Sequence, residues 1–130
     1  MDFTQEIQKH VVNYYDWLKQ KTQVQQVDNK WVQIVTPYLD AHNDYFIIYV
    51  KKENNHYLLT DGGYVIENLF KCKNLSEKQS KFLEITLNCF GIFLDWDCLT
   101  VRASSENFSI KKHNLLQAMM DLREYNDESG

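Results

Sequence analysis

The chain has 130 residues, 44% hydrophobic and 25% charged, which is the make-up of one globular domain with its own core. One Pro and four Gly exclude a collagen-like or low-complexity chain. A net charge of −4 supplies no basic field for a phosphate backbone, so direct nucleic-acid binding is not expected and a basic protein is the better-matched partner.

Phe3 to Gln20 reads as an amphipathic helix, because Phe3, Ile7, Val11, Tyr14, Tyr15 and Leu18 fall on one stripe. Asp2 or Thr4 suits its N-cap. Thr22 to Lys30 is polar without an apolar period and reads as a loop. Trp31 to Thr36 is β-branched and reads as a strand, which Pro37 should end for want of an N–H.

The runs DYFIIYV (44–50) and HYLLTD (56–61) flank a polar, turn-rich stretch and predict a β-hairpin. With Lys51 to Asn54 as its loop, Val50 faces Asn55, Ile48 faces Tyr57, Phe46 faces Leu59 and Asp44 faces Asp61. Two carboxylates then stand side by side. The plain reading is structural: Asp61-Gly62-Gly63 is turn chemistry, and Asp61 caps a helix starting at Tyr64. The alternative is a divalent-cation site of Asp44 and Asp61 with His42 nearby.

Tyr64 to Phe70 predicts a short helix, and Ser76-Glu77-Lys78-Gln79 is a capping box that opens a longer one to Phe90. Its expected inner face is Phe82, Ile85, Thr86 and Cys89, with Leu83, Leu87 and Phe90 near it, and Gly91 suits its C-cap. Ile92 to Leu94 and Cys98 to Val101 form a second hairpin across Asp95-Trp96-Asp97. A tryptophan between two acids there either folds back on the sheet or anchors a partner. Phe108 to Tyr125 is the last helix, with Phe108, Leu115, Leu116, Met119 and Leu122 inside.

Cys72, Cys89 and Cys98 are odd in number and widely spaced, so buried reduced thiols are expected. No P-loop, dinucleotide-binding, nucleophile-elbow or zincin motif is present. No cofactor is expected. No stretch is long and apolar enough to span a bilayer, and MDFTQEIQKHVV lacks an export pattern, so a cytoplasmic location is expected.

The residues Thr36, Pro37, Tyr38, Asn43, Asp44, Thr60, Asp61 and Gly63 stand in a pattern that resembles a family of short bacterial and prophage proteins known as a domain of unknown function. Gly62 departs from it, since the family more often has a second acid there. The resemblance implies an α+β fold and a bacterial or phage origin, and it brings no activity.

The expected architecture is one α+β domain over 1–130: a helix (1–20), an antiparallel meander (31–61), helices (64–90), a hairpin (92–101) and a C-terminal helix (108–125). The expected function is non-catalytic binding of another protein, in its most concrete form inhibition of a host defence nuclease such as a CRISPR effector. Asp95, Trp96, Asp97, Asp121 and Glu124 are the expected partner-binding residues. The alternatives are the Asp44–Asp61 cation site of a metal-dependent enzyme or ligand-binding domain, and a homo-oligomeric accessory protein joined through an open sheet edge.

Overall fold

A computed structural model describes residues 2–70 and 75–123. Its centre is a six-stranded antiparallel sheet in the order β1-β2-β3-β4-β6-β5: β1 Gln23–Gln26, β2 Trp31–Leu39, β3 Tyr45–Glu53, β4 His56–Thr60, β5 Phe93–Asp95 and β6 Cys98–Ala103. Helix α1 is Phe3–Lys21, α2 is Glu77–Phe90 and α3 is Phe108–Arg123, and Val65–Phe70 is a short π-helical stretch. The expected α+β class holds, and the second hairpin joins the meander in one sheet where β6 pairs with β4.

Strand alternation divides the sheet into two faces. Phe46 and Ile48 of β3, Ile34 of β2, Leu59 of β4 and Leu99 and Val101 of β6 point inward and are buried. Leu115, Leu116, Ala118, Met119 and Leu122 of α3 and Leu83 and Leu87 of α2 close that core. The outward face carries Gln33, Val35, Tyr45, Ile47, Tyr49, Lys51 and Leu58, all half-buried or exposed. On it Lys51 Nζ lies 5.3 Å over the Trp31 ring, its neighbour across the ladder.

Several elements differ from expectation. The Thr22–Lys30 segment holds β1, whose four residues are all exposed. This edge strand is held by backbone pairing and by Gln33 Nε2 donating to Gln25 Oε1 at 2.7 Å, and it shows no apolar alternation. Pro37 lies inside β2: the ladder skips from Val35–Ile47 to Leu39–Tyr45, and the proline sits in that irregularity, where no ladder N–H is needed.

The β3–β4 hairpin is also offset. Val50 faces Leu59 and Glu53 faces His56, so the turn is Asn54-Asn55, with Asn54 at φ 56°. Lys51, Lys52 and Glu53 extend β3 instead of forming the loop, and the expected Asp44–Asp61 cross-strand pair does not form. Asn tolerates positive φ, and a two-residue turn fits the strand twist better than a four-residue one.

Helix α1 starts as expected, with Asp2 and Gln5 in a reciprocal cap, yet it buries no residue. Its apolar stripe stays outside, with Phe3 75% and Tyr15 62% exposed. The α2 cap forms as expected, Ser76 Oγ accepting from Gln79 N at 3.0 Å, and Gly91 ends the helix at φ 68°. Its inner stripe is Gln79, Leu83, Thr86 and Leu87, while Ile85 faces solvent. The burial stripe is thus turned toward Leu83 and Leu87, because α2 packs on α3 and β5. Of the thiols expected to be buried, Cys89 is exposed and Cys98 half-buried, while Cys72 and the last turn of the expected C-terminal helix lie outside the described residues.

Candidate functional site

Asp61 organises the turn between β4 and the π-helical stretch. One of its oxygens accepts from Gly63 N at 2.8 Å and Leu99 N at 2.9 Å, and the other accepts from Val65 N at 2.9 Å. This is the expected cap, extended by a bond to the opposite strand. The carboxyl is 1% exposed. Burial pushes its pKa up, against the N–H donors that pull it down.

Asp40 does the same for the β2–β3 loop. Its Oδ1 accepts from His42 N at 2.7 Å and Asp44 N at 3.0 Å, and its Oδ2 accepts from the Tyr64 hydroxyl. Burial alone would raise this carboxyl, but the Tyr64 hydroxyl and the two backbone donors outweigh it and hold it below the ordinary range. Burial and the Asp40 carboxylate together push the Tyr64 phenol well up, so it stays a donor.

Between these two turns the outward sheet face dips into a concavity of about 460 Å³. Val35 and Ile47 contribute its apolar part, Tyr45, Tyr49 and Tyr64 its aromatic walls, and Asp44 and Glu67 its exposed carboxylates. Gly62 completes it: a Cβ there would stand 2.9 Å from Tyr49 Cε2, so the ring rests on the glycine backbone. The two ends of the expected cation site, Asp44 and Asp61, therefore border one hollow without pairing. His42 is exposed on the loop. Among the described residues, no three His, Cys, Asp or Glu side chains gather as a metal-ligand set.

The β5–β6 turn approaches Gly63, the residue after Gly62 of the hollow. Trp96 and Asp97 both have positive φ, 51° and 63°, which is the geometry of a two-residue hairpin turn. Trp96 points away from the sheet and is 94% exposed, the outcome opposite to folding back. A Cβ on Gly63 would lie 3.5 Å from Cys98 Sγ and 3.7 Å from the Asp97 carbonyl oxygen. The Asp97 backbone thus lies beside Gly63, while none of Asp95, Trp96 and Asp97 lines the hollow. Asp121 sits elsewhere, on α3, accepting from Gln117 at 3.1 Å, and Glu124 lies outside the described residues.

Sequence reading did not single out Tyr45, Tyr49, Tyr64, Glu67 or Asp40. Tyr45 and Tyr49 had a signal, since residues four apart on a strand share a face. The Asp40–Tyr64 bond spans 24 residues and leaves no local trace.

Fold and site define an α+β domain with α2 and α3 on the inner sheet face and an acidic, aromatic hollow on the outer one. The chain belongs to the family described as Domain of unknown function DUF1828, whose model matches residues 36–122. No curated protein and no solved structure matches it. No helix among the described residues is long and apolar enough to cross a membrane.

Proposed function

We propose that this domain is a non-catalytic binding module that docks onto a basic surface of another protein. Its most concrete form is a phage or mobile-element inhibitor that occupies the nucleic-acid groove of a bacterial defence nuclease, CRISPR effectors included. The observation that carries the reading is Trp96, 94% exposed on a two-residue hairpin turn and flanked in sequence by Asp95 and Asp97. Tryptophan is the residue type most enriched among interface anchors, and a flanking pair of carboxylates steers it to a basic site. The Asp44 and Glu67 carboxylates and the three tyrosines extend the same chemistry into the hollow.

The test is capture and inhibition measured against a panel of purified defence nucleases. A Trp96→Ala variant should keep the parent melting temperature and lose about thirtyfold or more in affinity, as for an interface hot spot. Raising the ionic strength should weaken the parent complex. Undiminished binding by Trp96→Ala places the interface elsewhere. Capture of no nuclease at all removes the inhibitor form.

A further inference from the structure

A second crevice, sharing no lining residue with the first, lies between the C-terminal half of α1, Tyr38 of β2 and α3. It measures about 480 Å³, inside the roughly 300–1,000 Å³ range of small-molecule sites. Its charged groups are all potential cations: Lys19 from α1, and Lys112 and His113 from α3. No carboxylate lines it, in a chain with 18 acidic and 14 basic residues.

Lys112 is the informative member. It is half-buried, one turn before Leu115 and Leu116, which fix that side of α3 in the core. Among the described residues the ion pairs are Lys51–Glu53 and Arg102–Glu53, so Lys112 has no carboxylate partner. Burial pushes its amine below the ordinary lysine range. A half-buried ammonium without a counter-charge costs free energy that an arriving anion recovers. Tyr15 and Tyr38 line the crevice together with the cations, and Leu18 and Leu116 supply apolar surface.

We propose that this crevice is a binding site for a phosphoryl anion, held by Lys19, Lys112 and His113. Two lysines and an imidazole match a dianion, and the tyrosines suit a flat group carried by the phosphate. Free phosphate and a nucleotide share this chemistry, and affinity distinguishes them.

The experiment is a titration of the full chain with inorganic phosphate, adenosine monophosphate and adenosine, followed by calorimetry and by the His113 imidazole resonances. Phosphate and the nucleotide should both bind, adenosine should not, and Lys112→Gln should weaken binding about tenfold or more, the loss of one charge-assisted bond. Lys30→Gln removes the same charge from the β1–β2 turn and should leave affinity unchanged. Tighter binding of the nucleotide than of phosphate assigns the site to a nucleotide, and equal binding assigns it to free phosphate. Absence of binding by both, or undiminished binding by Lys112→Gln, overturns the proposal. If Lys112→Gln does not fold, Lys19→Gln reads the same question through the His113 resonances, and an unchanged phosphate response there overturns it.

Discussion

A β-carbon on Gly62 would meet the Tyr49 ring at 2.9 Å, and the residue sits at φ +70°. Both conditions make a side chain there costly, and the Tyr49 ring occupies the space beside the glycine. Gly62→Ala should cost roughly 1–3 kcal/mol in urea unfolding, part backbone strain and part displaced ring. Adding Tyr49→Ala should recover the ring part and leave the strain. Equal costs in both backgrounds would show that the ring moves freely. Asp61 makes a different prediction. Its folded pKa is raised, so its contribution to stability is fully present below the unfolded value of about 3.9 and is lost as pH rises through the folded value. Asp61→Asn cannot ionise, and its stability should depend less on pH across that window. Parallel curves for parent and variant would assign the slope to another carboxyl.

Helices α1 and α3 show how differently two amphipathic elements can be used. Leu115 of α3 is fully buried, and Leu115→Ala should cost about 2–5 kcal/mol. Ile7 of α1 is 44% exposed, and Ile7→Ser should stay within about 0.5 kcal/mol in the same unfolding assay. A large Ile7 effect would mean that α1 is covered in solution. The clearer apolar stripe in sequence belongs to α1, which buries none of it, because periodicity reports which side is apolar and not whether a neighbour reaches it. Local signals were legible for the same reason: the Ser76 and Asp2 caps and the Gly91 stop are settled within a few residues. Strand β1 was hidden because backbone pairing and a Gln33–Gln25 side-chain bond hold it, with no buried apolar face. The hairpin offset had a readable cause in Asn54-Asn55, where two turn formers fit a shorter loop than the lysines suggested.

At the scale of the molecule, Thr36 and Asp61 tie strands together, and Asp44 and Asp61 also line the hollow. Thr36 Oγ1 donates to Phe46 O at 2.8 Å and ties the β2 irregularity to β3, while Asp61 ties β4 to β6. The acidic tip was legible as a candidate because Asp95, Trp96 and Asp97 are adjacent in sequence. Its closeness to Gly63 was not, since Gly63 and Asp97 are brought together only by the β4–β6 pairing. Charge is divided in the same way, carboxylates at the outward hollow and cations in the α1–α3 crevice, a division that net charge alone averages away.

The strand order has a kinetic consequence. Among the described pairings, β1–β2, β2–β3, β3–β4 and β5–β6 join strands adjacent along the chain, and each can zip from its own turn. Only β4–β6 must wait for a longer loop to close, and the Leu99 N to Asp61 bond, 38 residues apart, lies at that junction. Closure entropy is concentrated in this one event, which makes it the natural barrier to folding. The proposed Trp96 surface sits on the hairpin that this pairing docks, so it takes its place against β4 at the crossing of that barrier and no earlier.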